Sequence, residues 1–211
     1  MQVRKDISNF YKSIPSDVTL VAATKYVDGE QMRKLYDAGI KNFGENRADS
    51  FLKKYEELKD LKDISWHFIG HLQRNKAKEI INKINYLHSL DSEELAKMIE
   101  KYRTTPLETF IEVSINLEES KNGVPYYELE SFIKSISKYS KVHVVGLMMM
   151  TVKESNDKGQ QFKKLVELRD SIEKTLNIKI PYLSMGMSDD YLLAIENKAT
   201  HIRLGRVLFT D

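Results

Sequence analysis

Short apolar runs alternate with amphipathic stretches along the chain. Each run is bounded by turn-forming residues, which is typical of buried strands. The runs predict strands at residues 20–25, 41–44, 65–69, 86–90, 107–115, 142–148, 182–184 and 200–204. Between them, apolar residues recur every three or four positions. This spacing predicts a first helix that Pro15 ends, and further helices over residues 28–39, 48–55, 72–84, 92–102, 126–139, 157–176 and 188–196.

Strands and helices that alternate in this way form a parallel sheet, and eight strands are the number that closes a (β/α)₈ TIM barrel. We therefore predict a single α/β domain over residues 1–211. No helix follows the eighth strand, and the N-terminal helix is expected to fill that position. The active site of such a barrel lies at the carboxyl ends of its strands. The residues expected to gather there are Lys25, Asn46, His67, Asn116, Met148, Ser184 and Arg203.

Composition narrows the classes of function. The 33 basic and 31 acidic side chains are spread evenly and leave a net charge of +2, so a nucleic-acid-binding face is not expected. There is no cysteine, which excludes disulfides, thiolate metal sites and cysteine nucleophiles. The N-terminus has no apolar signal region, and no apolar run is long enough to span a bilayer. We expect a soluble cytoplasmic protein without a membrane partner.

One lysine and one serine have positions that could carry chemistry. Lys25 ends an apolar strand. By position alone its side chain would extend to the barrel rim, but a lysine in a partly desolvated mouth loses its proton more easily and can attack an aldehyde. Ser188 is placed at the start of a helix, where free N–H groups favour an anion, and Gly205 lets backbone approach a ligand. An ordinary helix cap is the simpler interpretation of Ser188, yet an amine and a phosphate cradle together indicate pyridoxal phosphate.

Six motifs carry a family resemblance. They are ATK at 23–25, FGEN at 43–46, HFIGHLQRNK at 67–76, SKNG at 120–123, GLM at 146–148 and SMGMSDD at 184–190. In this order they resemble the pyridoxal phosphate homeostasis proteins, which are stand-alone relatives of the N-terminal barrel of alanine racemase. The resemblance covers nearly the whole chain and implies a fold-type III pyridoxal-phosphate-binding barrel.

The resemblance also implies roles for individual residues. Lys25 would form the Schiff base, and Ser188 with the backbone N–H groups of Gly205 and Arg206 would hold the phosphate. Arg203 would face the pyridine nitrogen. Because an arginine has no acceptor and keeps its proton, the ring would stay unprotonated and would be a poor electron sink.

Four further residues are candidates for cofactor contact. Asn46 is near the ring by resemblance, although a helix cap is an equal alternative. His67 and Ser184 are candidates by their places at strand ends, and Met148 could touch the cofactor while it packs the barrel.

The chain departs from the family pattern at three places. Lys198 replaces a common glycine, Arg206 replaces a Thr or Ser, and Phe209-Thr210 replaces a terminal Phe-Gly. The backbone donor at Arg206 is kept but the hydroxyl is lost. We hypothesise that the Arg206 guanidinium binds the phosphate instead, which an unchanged cofactor affinity in Arg206→Ala would contradict.

Other polar residues have simpler interpretations. His67 and His71 are four residues apart but straddle a strand end, so a metal site is not expected. His88, His143 and His201 alternate with apolar residues and are interpreted as structural. Asp189 and Asp190 could be a catalytic pair, but acids in a first helical turn usually complement the helix dipole.

Three functions remain open at this point. The first is a protein that binds, buffers and releases pyridoxal phosphate, as a monomer, with apo enzymes as candidate recipients. The second is a racemase or decarboxylase on the same barrel. For racemisation, the resemblance implies that the second base, a tyrosine, comes from an additional domain, which we do not expect here. The third is a barrel that binds a sugar phosphate, which would leave Lys25 without a role.

Overall fold

Parallel strands form a closed ring. The computed structural model describes residues 1–115, 122–151 and 157–210. In these residues the ring contains eight strands, which we number β1 Thr19–Ala23, β2 Asn42–Glu45, β3 Ser65–Phe68, β4 Tyr86–Leu90, β5 Leu107–Ser114, β6 Val142–Met148, β7 Tyr182–Ser184 and β8 His201–Leu204. Neighbours in the chain pair in parallel, and β8 pairs with β1 through Arg203 and Val21. The predicted eight-stranded barrel is confirmed.

Helices surround the ring. They are α1 Ile7–Ser13, α2 Gly29–Asp37, α3 Ala48–Glu57, α4 Arg74–Ile80, α5 Glu93–Tyr102, α6 Leu129–Ile136, α7 Lys158–Leu176 and α8 Tyr191–Glu196. The caps follow the sequence signals: Asp28 accepts from Gln31 N–H at 3.0 Å and Ser92 from Leu95 N–H at 3.4 Å. None of the helices in this part of the chain has the length and apolar content needed to cross a bilayer.

Two predicted helices are shorter than their apolar pattern. The helix predicted over 126–139 begins as a 3₁₀ turn, Tyr126–Glu128, before α6. The helix predicted over 72–84 stops at Ile80, although Ile81 and Ile84 remain buried. Arg103 explains the early end of this helix. Its guanidinium donates to the carbonyls of Ile81 and Ile84, in place of the backbone N–H groups that would bind them in a longer helix.

The first helix occupies the position after β8, as predicted. The Phe10 ring lies 6.1 Å from the Tyr191 ring of α8, and Tyr11 packs beside Gly39 at the end of α2. Residues Gln2–Val3 pair antiparallel with Phe209–Thr210, which fastens α1 to the last strand region. A further two-residue strand, Val124–Pro125, pairs with β5.

An aromatic cluster fills the space between the barrel wall and α3. Trp66 of β3 is buried, with its ring centroid 5.3 Å from Phe51 and 6.0 Å from Phe43 and from Tyr55. These rings pack in tilted and edge-on geometries, which aromatic pairs prefer. The cluster fixes α3 against β2 and β3.

Lys198 adopts a left-handed backbone conformation, with φ of +67°. This conformation strains a residue with a Cβ, which explains why a glycine would suit the position. Lys198→Gly is therefore expected to raise the free energy of unfolding by about 1 kcal/mol. Chemical denaturation would measure this change. Asn177→Gly is the matched control, because Asn177 is also left-handed but asparagine tolerates that conformation, so a smaller gain is expected. Equal gains, or none at Lys198, would contradict this account.

Candidate functional site

A cavity of about 290 Å³ opens at the carboxyl ends of β1 and β8. It is lined by five residues that the sequence predicted as cofactor-binding: Lys25, Ser188, Arg203, Gly205 and Arg206. The remaining lining residues are Met1, Ala23, Tyr26, Met187, Asp189 and Phe209. The amine near the start of the chain and the proposed cradle near its end thus share one cavity.

Lys25 lies two residues after the end of β1 and is exposed, with Nζ 4.9 Å from the centre of the Tyr26 ring. The expectation of a partly desolvated lysine is wrong for this structure, because the mouth beside β1 is open to solvent. The backbone before Lys25 is fixed, however. Thr24 N–H donates to Gly44 O at 3.0 Å, and Thr24 O accepts from Val27 N–H at 3.1 Å.

The cradle around Ser188 differs from a helix start. We predicted that a helix begins at Ser188, but α8 begins at Tyr191 and Ser188 lies in a turn. The backbone of Asp190 is not helical, with φ of −145°, and its Oδ1 accepts from Met187 N–H at 2.7 Å within this turn. Thr151 Oγ1 donates to Asp190 Oδ2 at 2.8 Å, which secures the carboxylate.

Ser188 instead reaches across to the segment after β8. Its Oγ accepts from Gly205 N–H at 3.2 Å and from Val207 N–H at 3.4 Å, at the 3₁₀ turn Arg206–Leu208. A hydroxyl and backbone N–H groups therefore converge at one end of the cavity. The Arg206 guanidinium donates to Asp189 at 2.5 Å. Its binding to phosphate stays a prediction, because that ion pair must open first.

Arg203 lies buried at the floor of the cavity. It donates from Nη1 to Ser184 Oγ at 2.7 Å and from Nη2 to Met149 O at 3.0 Å. Burial lowers the pKa of Arg203 to about 10, while Glu112 and Asp190 act in the opposite direction. The side chain is therefore a cation at neutral pH. It has five N–H donors and no acceptor, so a group that faces it from the cavity must accept a hydrogen bond.

A chain of hydrogen bonds continues from Ser184 through the barrel interior. Ser184 Oγ lies 2.8 Å from His88 Nδ1, and His88 Nε2 lies 2.9 Å from His67 Nδ1. His67 Nε2 lies 3.1 Å from Asn42 Oδ1. Arg203 can only donate at one end and the Asn42 oxygen accepts at the other. One assignment satisfies every atom: Ser184 donates to His88, His88 to His67, and His67 to Asn42.

The interior histidines are held neutral. Burial is the main cause that lowers the pKa of His67 and of His88 well below the ordinary value. Repulsion of a second positive charge by His201 adds to it for His67, and repulsion by His67, His201 and Arg203 adds to it for His88. Burial, followed by Arg203, lowers the pKa of His201 to about 4. The interpretation of His88 as structural is consistent with this network, and His201 lies outside it, with Nδ1 2.9 Å from Thr200 Oγ1. His143 differs: it is exposed and pairs with Glu108 at 2.9 Å, because it lies near the amino end of β6.

The other predicted contact residues lie outside this cavity. His67 and Ser184 are fully buried; Ser184 bonds to Arg203, and His67 connects to Ser184 through His88. Met148 packs against Phe110 inside the barrel. Asn46 lines a separate cavity of about 360 Å³, and its buried Oδ1 has no hydrogen-bond partner in the described residues. Asn116, Ser120 and Lys121 lie outside the described residues.

His67 and His71, for which no metal site was expected, have separate partners. His67 belongs to the interior network, whereas His71 pairs with Asp91 at 3.1 Å. Within residues 1–115, 122–151 and 157–210, no group of three potential metal-binding side chains was found.

Sequence reasoning missed two acidic residues near the site. Glu112 of β5 is 4% exposed, and burial followed by Asp91 raises its pKa to about 7. Glu45 is fully buried at the end of β2 and pairs with Lys54 of α3. The sequence did contain signals for both residues: Glu112 lies in a largely apolar strand, and Lys54, the partner of Glu45, lies on the apolar face of a predicted helix, where charged residues are rarely found.

The donors that line the cavity fit pyridoxal phosphate. Lys25 supplies an amine for the aldehyde, the Ser188 and Gly205 region supplies hydroxyl and N–H donors for a phosphate, and Arg203 supplies N–H groups for a ring nitrogen. These features define a barrel of the alanine racemase N-terminal class. The family model of that domain matches residues 3–211.

Relatives narrow this class further. A pyridoxal phosphate homeostasis protein of Aquifex aeolicus is 43% identical over 197 residues, which cover 91% of this chain and 86% of that protein. The chain belongs to the pyridoxal phosphate homeostasis protein family.

Solved structures agree with this assignment. PipY of Synechococcus elongatus, solved without PLP, superposes with a TM-score of 0.92 at 28% identity and covers 99% of this chain and 100% of its own. The same protein solved with PLP bound gives 0.88 at 28% identity, over 97% and 100%. An alanine racemase of Corynebacterium glutamicum gives 0.77 at 14% identity, over 96% of this chain and 58% of its own, which shows the shared fold alone.

Proposed function

We propose that this protein binds pyridoxal 5'-phosphate reversibly and serves in pyridoxal phosphate homeostasis, by holding, buffering and releasing the cofactor. The observation that carries the proposal is the single cavity that contains Lys25, Ser188, Arg203 and Gly205. The names of the relatives and the PLP-bound PipY structure support it.

Each residue has a separate task in this proposal. Lys25 would supply the amine that adds to the aldehyde carbon; a C=N bond would form as the aldehyde oxygen leaves as water, and addition of water would reverse the step and release the cofactor. Ser188 and the N–H groups of Gly205 and Arg206, which the resemblance implies, would bind the phosphate together with Val207 N–H. Ser188 Oγ would exchange its present bonds from Gly205 and Val207 for bonds to the anion. This exchange holds the anion without burying an unpaired donor.

Arg203 sets the limit on chemistry at the site. Bound pyridoxal phosphate supplies an electron-withdrawing ring that is strongest when its nitrogen is protonated. Arg203 can only donate, and Ser184 and Met149 O already occupy two of its N–H groups in a fixed position. The remaining N–H groups could donate only to an unprotonated ring nitrogen, so carbanion chemistry would receive little support. This favours cofactor handling over racemisation or decarboxylation.

Absorbance and mass spectrometry test the proposal. Purified protein incubated with pyridoxal phosphate is expected to show a visible band that borohydride shifts, with the reduced adduct located on Lys25. Lys25→Ala is expected to lose both, whereas Lys53→Ala, a control at an exposed lysine, keeps both. A wild type without a visible band would favour a sugar-phosphate-binding barrel. Alanine turnover at rates typical of dedicated enzymes would favour the racemase alternative.

Three finer statements belong to the same proposal. The protein acts in the cytoplasm, it is a monomer because one chain supplies the whole cavity, and it passes the cofactor to apo enzymes. Gel filtration tests the second statement. Activation of an apo enzyme by the loaded protein, in the presence of a trap for free cofactor, tests the third.

A further inference from the structure

A buried ion pair lies directly behind the lysine of the proposed site. Lys54 Nζ of α3 is 2.7 Å from Glu45 Oε1 at the end of β2. Glu45 is 0% exposed and Lys54 is 6% exposed. Both residues lie on the outer side of the barrel wall, between β1, β2 and α3, and neither lines the cavity that contains Lys25.

Both members of the pair hold Thr24, the residue before Lys25. Lys54 Nζ donates to Thr24 O at 2.6 Å, and Thr24 Oγ1 donates to Glu45 Oε1 at 2.5 Å. Ser50 Oγ donates to Glu45 Oε2 at 3.0 Å, which fixes the carboxylate from its other side. The backbone and the side chain of Thr24 are therefore clamped at the point where β1 ends.

Stability alone is a poor explanation for this arrangement. Removing two charges from water has a large desolvation cost, and apolar side chains of similar size in place of a buried pair are often as stable or more stable. A charged pair does provide directional hydrogen bonds, which define one position for the groups that they contact. Here the contacted group is the peptide unit that precedes the exposed Lys25.

We propose that the Glu45–Lys54 pair positions Lys25 for attack on the aldehyde. The inference rests on the proposed function and concerns only how the amine is placed. Glu45 and Lys54 are positioning residues: Lys25 Nζ still forms the C=N bond and the oxygen still leaves as water, with no contribution of atoms from the pair. Because Lys25 itself lies in an open mouth, the clamp on Thr24 restrains the backbone from which its side chain extends.

The test compares two ligands that share a phosphate and a ring. Pyridoxal phosphate requires the Lys25 amine, whereas pyridoxamine phosphate has no aldehyde and reports on the rest of the cavity. In Lys54→Met and in Glu45→Gln/Lys54→Met, the rate of borohydride-trappable attachment of pyridoxal phosphate is expected to fall about 10- to 100-fold. The dissociation constant of pyridoxamine phosphate is expected to change by less than about twofold, because the cradle residues are untouched.

Three controls separate positioning from folding. The double variant removes both charges, so it keeps a folded barrel if the single variant does not. Thr24→Val keeps both charges but removes the hydroxyl bond to Glu45, and a slower attachment is expected there too. Lys53→Met has the same substitution one residue away on the exposed face of α3, and wild-type attachment is expected.

The possible results are distinct. Attachment at the wild-type rate in a folded double variant, or in Thr24→Val if the others do not fold, would overturn the inference. An equal loss of pyridoxamine phosphate binding would also overturn it, since the pair would then be merely structural. If wild-type protein attaches no pyridoxal phosphate, the proposed function fails instead.

Discussion

Acidification from pH 7 to pH 5 is expected to lower the free energy of unfolding of the cofactor-free protein by roughly 3 kcal/mol, before most carboxylates titrate. The buried histidines cause this loss. His67, His88 and His201 have a lowered pKa in the folded state, so they stay neutral there. The unfolded chain binds a proton at each of them below about pH 6.5, which costs the folded state about 1.4 kcal/mol per pH unit for each histidine.

Glu112 acts with the opposite sign. Its pKa is raised to about 7 in the folded state, so the folded protein takes up this proton before the unfolded chain does. Between pH 7 and its ordinary pKa, protonation of Glu112 stabilises the fold as the pH falls, and it offsets about one of the three histidines. The net loss is therefore smaller than the histidines alone would give.

Two substitutions test this balance in opposite directions. His201→Phe keeps the ring contacts with Phe110 and Tyr182 but removes one titrating group, so the loss of stability per pH unit is expected to decrease by about 1.4 kcal/mol. Glu112→Gln is expected to increase it by a similar amount. Urea unfolding followed by far-ultraviolet circular dichroism at several pH values measures both slopes. Wild-type slopes in both variants would contradict the assignment of these groups.

Gly146→Ala is expected to destabilise the barrel by at least about 3 kcal/mol. Gly146 of β6 lies opposite Tyr182 of β7 in the register. A Cβ at this position would lie 2.1 Å from Tyr182 O, which is a backbone atom and cannot rotate away. The two strands must separate, and Ser184 in β7 would then lose its position beside Arg203.

The control for this prediction is a glycine that has free space where the added Cβ would lie. Gly159 lies in α7, and its nearest neighbour would be Leu193 Cδ1 at 3.8 Å. Gly159→Ala is expected to be neutral or to stabilise by up to about 1 kcal/mol, since alanine favours a helix. Chemical denaturation at pH 7 compares the two variants. Similar stabilities would show that β6 and β7 can shift apart without cost.

The barrel was predictable from the sequence because its strands are buried on both faces. Such strands appear as continuous apolar runs, and β4, β6 and β7 begin and end at the predicted residues. The helix ends were less predictable where side chains compete for the backbone. Arg103 donates to the carbonyls of Ile81 and Ile84 where α4 ends early, and α8 begins only after the non-helical backbone of Asp190.

The site was predictable where the residues lie at or beyond the carboxyl ends of the strands. Lys25, Ser188, Arg203 and Gly205 share one cavity, as the motifs indicated. Contacts across the interior of the closed barrel were not predictable. His67, His88 and Ser184 are far apart in sequence, and each alone resembles an ordinary core residue. The pairing of Glu45 with Lys54 was hidden for the same reason.

The aromatic cluster behind β3 supplies an optical probe that needs no labelling. The chain has a single tryptophan, Trp66, and it is buried beside α3, the helix that carries Lys54. Its fluorescence emission would therefore report from one known location when α3 detaches. A visible chromophore held at the barrel mouth would quench that emission by energy transfer, so cofactor loading and release could be followed in real time in unmodified protein.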